Sequence, residues 1–259
     1  MRTRKALAVA VLLLLSVSPA LALNKARVIY GPPSGKQETA IQQEVKASGA
    51  AEDVASFIND QFSLSVPLSL VFGREDGPLY DPQTQEIVVP YAFLQEVKER
   101  FVDAGYPETG VSVSEATMDV LMHTLFHELA HALIFTCELP VVGKEEDAAD
   151  GLASVLLIEF YEHGAEMALS AADLFDLESE DIETFADEDF QDDHSLDIQR
   201  FYTTLCHVYG SDPETYADLK TDAGFSEDRA QGCIEEYERL AKSWFALLEP
   251  HRKQGAKSR

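Results

Sequence analysis

Residues 113 to 135 constrain this chain more than any other stretch, because apolar residues recur there at helical spacing around His127-Glu128-Leu129-Ala130-His131. At about 3.6 residues per turn, histidines four apart lie one above the other on a single helix face, so both imidazoles reach one tetrahedral metal. Glu128 projects beside the same point, where its carboxylate can take a proton from a water acidified by a cation. The HExxH pattern therefore points to metal-assisted amide hydrolysis, with zinc (Zn2+) as the expected ion. Ser112 and Glu115 stand in the S-x-x-E arrangement of a capping box and set the start of the helix, which is expected to end near Thr136, before Pro140.

Two histidines leave a zinc ion short of protein ligands, and the segment Glu145-Glu146-Asp147-Ala148-Ala149-Asp150 offers a third. It opens the next helix after a turn at 140–143 that folds it back against the first. Glu146 and Asp150 are i and i+4 and share a face, so Glu146 completes a His2Glu set while Asp150 hydrogen-bonds the free nitrogen of a ligand histidine and fixes its tautomer. Only 14 residues separate His131 from Glu146, which leaves Glu145 and Asp147 open as alternative ligands. For those two, placement in the first helical turn is already favoured by the macrodipole. His123 continues the histidine series one turn back, but a tetrahedral set is filled without it, and packing behind the ligands is its expected place.

HExxH followed by ExxxD, here Glu146-Asp147-Ala148-Ala149-Asp150, resembles the gluzincin class of zinc metallopeptidases. HELAHALI, LPVVGKEEDAAD and HSLDIQRFY with a following cysteine are similar, over most of the chain, to an uncharacterised family of exported bacterial proteins described as metallopeptidases. The resemblance implies that His127, His131 and Glu146 bind zinc, that Glu128 is the general base and that Asp150 supports a ligand. Attack on a carbonyl also needs an electrophile for the developing oxyanion, and the polar segment 192–203 offers His194, Arg200 and Tyr202, with His194 ranked first and Tyr202 second.

The charge balance narrows the partners. Forty-six acids stand against 20 bases, a formal net charge of −26, which repels phosphate backbones and anionic lipid. A peptide or protein substrate is expected and nucleic acid is not; the oligomeric state is left open. Residues 1–22 combine three bases, an apolar run and Ala20-Leu21-Ala22, the pattern of a cleavable signal peptide, and no later run approaches the length of a membrane span. Export to a secreted or periplasmic location would place Cys137, Cys206 and Cys233 in an oxidising compartment. Cys206 with Cys233 is the favoured pair, tying the C-terminal helices together for about 3 kcal/mol, with Cys137 left as a buried, inert thiol.

Strands are expected at 26–30, 66–72 and 85–90, and helices at about 38–62, 91–104, 113–135, 145–163, 168–182, 195–209 and 227–247. This is an α+β chain with its sheet first, which the resemblance makes zincin-like: one unit over 23–259, with an α/β lobe at about 23–135 and a helical lobe at about 140–250. By analogy with zincins, the strand around Gln85 to Val89 would be the edge that aligns an extended peptide. Residues 173–193 hold eleven acids and no base, read as a solvated face or a mobile lid. The expected function is an exported zinc metallopeptidase. The competing reading is a non-catalytic metal-binding or interaction module, against which Glu128 argues, since a structural zinc site needs no carboxylate beside its histidines.

Overall fold

Five consecutive buried residues, Leu-Ser-Leu-Val-Phe, put β2 (Leu68–Phe72) inside the sheet of the computed structural model, which describes residues 25–182 and 184–256. The expected signal segment lies outside those residues. β1 (Ala26–Tyr30) and β4 (Glu86–Val89) run parallel to β2 on either side, and β3 (Leu79–Asp81) runs antiparallel along β4, giving the order β1-β2-β4-β3. Parallel pairing demands a crossover, supplied between β1 and β2 by α1 (Gly35–Ser48) and α2 (Ala50–Gln61). The single helix expected over 38–62 is two, because Gly49 takes a left-handed conformation (φ 74°) that ends one helix and begins the next.

The edge strand needs correction. β4, expected to be the edge, is hydrogen-bonded on both sides, and the edge next to it is β3, inside the stretch 73–84 that reads as a turn. Three residues bracketed by Gly, Pro and Asp are too few to show a period of two.

The rest of the chain is mostly helical: α3 (Tyr91–Asp103), α4 (Val113–Thr136), α5 (Glu145–Phe160), α6 (Gly164–Ser179), α7 (Asp197–Ser211), α8 (Ala217–Asp222) and α9 (Glu227–Leu248). α4 starts where its cap predicts, with Ser112 Oγ accepting from the Glu115 N–H at 3.2 Å. It is apolar on every face, as a helix enclosed on all sides must be, and it contacts the sheet together with α1, α2, α3, α5 and α6. Leu121, Leu125, Leu129 and Leu133 on it are completely enclosed. Each such side chain contributes roughly 2–3 kcal/mol by leaving water, so the histidines between them sit on a rigid support. In α5 every residue from Ala149 to Ile158 is buried, Asp150 among them.

α7 and α9 are joined by the Cys206–Cys233 disulfide, and Cys137 is a free, half-buried thiol. The two helices touch at backbone distance: a Cβ on Gly210 would lie 2.2 Å from the Cys233 carbonyl oxygen, so only glycine fits. Trp244 is buried as α9 docks on the core.

His207, in the buried face of α7, has an Nδ1 with no hydrogen-bond partner among the described residues, and burial pushes its pKa down to about 4 against weaker opposing pulls from Glu236 and Asp150. Unfolded, it titrates near 6.5, so the unfolded chain binds the extra proton between the two values. The contribution of His207 to stability therefore falls as pH drops from about 6.5 to about 4, by up to about 3 kcal/mol, and is level below that. Denaturant unfolding of wild type and His207→Phe across this range should give stabilities that diverge on acidification, with the variant holding its value better. Parallel curves would contradict the assignment.

Candidate metal centre

One face of α4 presents His127 and His131, and the first turn of α5 presents Glu146 to them. One donor atom from each of the three lies within 4.8 Å of the others. Glu146 Oε2 is 3.1 Å from His127 Nε2 and 3.2 Å from His131 Nε2, and the two ring nitrogens are 3.2 Å apart. A fourth group joins from outside both helices: His194 Nε2 lies 3.0 Å from the same Glu146 oxygen, its ring stacked on His127 at 6.1 Å between centroids.

Behind these atoms each imidazole is held by a carboxylate. His127 Nδ1 is 2.7 Å from Asp150 Oδ1, and His131 Nδ1 is 2.8 Å from Glu145 Oε1. Asp150 in turn receives Arg200, with Nε 2.8 Å from Oδ2 and an Nη 3.1 Å from Oδ1, a two-pronged pair from α7. Arg200 also lies over the Phe175 ring at 3.9 Å. A His–Asp–Arg chain therefore runs from the site into the core.

The chain matches, over residues 30–248, the family described as "Putative metallopeptidase". It belongs to this metallopeptidase family. No curated protein matches it, and no solved structure does.

In this metallopeptidase-family chain the donor set itself fits a metal. Two imidazoles and one carboxylate suit a borderline divalent cation, and carboxylates on both Nδ1 positions leave the Nε2 atoms, which face Glu146, as the ligating nitrogens. The local electrostatics agree. Burial raises the carboxyl pKa of Glu146, but hydrogen bonds from His127, His131 and His194 outweigh it and keep the group ionised well below the usual carboxylate range. Burial opposes ionisation of Asp150 too, and Arg200 and His127 overcome it. For His127, burial lowers the pKa, but bonds to Asp150 and Glu146 outweigh it and raise the pKa to about 9. His194 is shifted up chiefly by its bond to Glu146.

Glu128 is buried beside His127, with its pKa raised by burial and pulled back by the charges of His127 and His131. The backbone of Tyr80, on edge strand β3, lies near enough to its carboxylate to lower the pKa slightly. Two cavities meet at this point, both lined by His127, Glu128, His194 and Pro78. One, of about 350 Å³, runs between β3 and the end of α4 past Leu79, Tyr80 and Phe135; the other, of about 250 Å³, penetrates between α4 and α6.

The expected residues do not all converge. His127, His131, Glu146, Glu128, Asp150 and His194 do. Of the alternative ligands, Glu145 faces the outer nitrogen of His131, and Asp147 lines a separate cavity beside Gln199 and Thr203. Arg200, considered as an electrophile, has its guanidinium committed to Asp150 and acts as an anchor. Tyr202 is not brought to the cleft. Two residues beyond Arg200 it lies about 200° round the helix, with its ring against Phe201 and Phe225, and it lines neither cavity. His194 arrives at the site because Lys144 Nζ, just before α5, donates to the carbonyl oxygens of Asp192 and His194 at 3.0 and 2.7 Å.

If Asp150 orients His127, Asp150→Asn should lower stability by about 3–5 kcal/mol, because it leaves the buried Arg200 charge unpaired, and in the folded protein should weaken metal binding by about 10–100-fold, measured by competition with a chromogenic chelator. Unchanged affinity would remove Asp150 from the centre.

Proposed function

We propose that this chain is an exported, zinc-dependent metallopeptidase of gluzincin type, in which His127, His131 and Glu146 hold the metal and Glu128 is the general base. The observation that carries the reading is the position of Glu128: a buried carboxylate at the junction of two cavities, beside a His-His-Glu cluster, within reach of an edge strand. A structural metal site has no use for such a group or for open space around it. Zinc is chosen because a His2Glu set with an open side is its usual hydrolytic arrangement. Export is supported by the N-terminal sequence pattern and by the Cys206–Cys233 disulfide. No helix among the described residues is long and apolar enough to cross a membrane.

The substrate is a peptide in extended conformation. β3 pairs with β4 on one side only, so its free edge can take up a peptide backbone beside the metal. When bound, zinc supplies a positive charge that acidifies water and polarises the scissile carbonyl. Glu128 takes the proton of the attacking water at its carboxylate and passes it to the departing amine nitrogen. His194 lines both cavities, its Nε2 on Glu146 and its Nδ1 on Asp192; with Glu146 engaged by the metal, its Nε2–H would be freed to donate to the carbonyl oxygen as negative charge develops there. Chain residues 23–259 serve as one catalytic unit, with the metal between its sheet-bearing and helical lobes.

Cleavage of a diverse peptide mixture by the zinc-loaded chain and by Glu128→Gln tests this directly. Chelator-sensitive cuts are expected for the wild type, with the rate reduced by about 10²–10⁴-fold in the variant while its metal content is unchanged. Equal cleavage patterns, or none with metal bound, would sink the assignment.

A further inference from the structure

From Ala116 to Thr136 every residue of α4 is buried or half-buried except one, Phe135, which is 57% exposed. Leu79, on edge strand β3, is also exposed, and both side chains line the outer cleft of about 350 Å³. The Tyr80 ring lies against Phe135, with centroids 6.2 Å apart, and Pro78 and Pro82, on either side of β3, complete the wall. Exposed apolar side chains are ordinary when scattered over a surface. These share one concave wall, and that wall leads to Glu128 and His131.

The two sides of the cleft run the same way. On α4, Val120 and His123 line the inner cavity, His127 and Glu128 line both, and His131 and Phe135 line the outer cleft alone. On the strand side, Pro78 stands at the junction and Pro82 in the outer cleft only. A peptide added to the free edge of β3 in the antiparallel sense, the more stable of the two pairings, therefore has its amino-terminal side at the Phe135 end and reaches Glu128 afterwards. Along α4, Phe135 is about 9 Å beyond the midpoint between His127 and His131. An extended chain covers that distance in about two to three residues.

We propose that Phe135, with Leu79 and Tyr80, is a specificity-determining subsite that takes a large apolar side chain about two to three residues before the cut bond, so that sequence preference is set at a distance from the reacting atoms. The proposal rests on the metallopeptidase reading. A leucine or phenylalanine seated here leaves water and covers Phe135 in the same step, whereas alanine is too short to do either. Lysine, which the net charge of −26 would suggest, meets rings, a leucine and prolines, and the carboxylates of Glu145 and Glu146 in the same cleft are already engaged by the histidines. The same net charge disfavours an acidic side chain.

The test is cleavage of a random peptide mixture by zinc-loaded wild type, Phe135→Ser and Phe135→Leu, with the products sequenced and aligned on the cut. Alongside it, the same mixture is captured on zinc-loaded Glu128→Gln chains with and without Phe135→Ser, and the retained peptides are sequenced. At the second or third residue before the cut, wild type should favour large apolar residues over alanine and lysine by about tenfold. Phe135→Ser should bring that ratio toward one and Phe135→Leu should keep most of it, while the preference at the residues flanking the cut stays the same in all three. Cleavage without this preference, with it only on the carboxyl-terminal side, or with it intact in Phe135→Ser overturns the subsite and leaves the metallopeptidase reading standing. No cleavage, but capture of apolar peptides that is lost with Phe135→Ser, keeps the subsite and overturns that reading. Neither cleavage nor such capture overturns both.

Discussion

A single carboxylate, Asp150, links the core to the chemistry. Buried on α5, it joins His127 on α4 to Arg200 on α7, so three helices from distant parts of the chain converge on two oxygen atoms. An isolated buried carboxylate would cost several kcal/mol. Here its charge is met by a two-pronged guanidinium and an imidazole, and the guanidinium is sandwiched against Phe175. Removing any member strands the others, and that mutual dependence fixes where the His127 ring points.

The surrounding apolar structure makes this arrangement tolerable. α4 is enclosed by the sheet and by five helices, and its leucines alternate with the polar side chains of the centre. Because the interior is close-packed, ligand positions on α4 and α5 are set by helix packing more than by the flexibility of the side chains. The elements that must admit a substrate are different in kind. β3 is three residues long and paired on one side, and the segment carrying His194 is secured to α5 by Lys144 through carbonyl contacts.

What the sequence made legible follows from the range of each interaction. His127, His131 and the Ser112 cap were readable because a helix repeats every few residues, and Glu146 with Asp150 because the same periodicity applies one turn after a short loop. The Cys206–Cys233 pair followed from both residues lying in the C-terminal helical region. Arg200 on Asp150 was not readable: the two are 50 residues apart, and nothing local distinguishes a guanidinium that anchors from one that meets substrate. Tyr202 fails for the opposite reason, since proximity in sequence to Arg200 places it on the other side of the same helix. The contact of Glu145 with His131 was hidden because acids in a first helical turn are favoured without any partner. β3 was missed since three residues hold no pattern, and Gly49 shows how one left-handed residue divides a stretch whose apolar spacing reads as continuous.

The central claim is that one metal is held by His127, His131 and Glu146. Crystals of the purified chain diffracted on either side of the zinc absorption edge would test it most directly. The account predicts one strong anomalous peak at full occupancy, with the Nε2 atoms of both histidines at about 2.0–2.1 Å and a Glu146 oxygen at about 2.0–2.2 Å. No peak between these three residues in zinc-saturated crystals, or a peak ligated by Glu145 or Asp147 in place of Glu146, would contradict it.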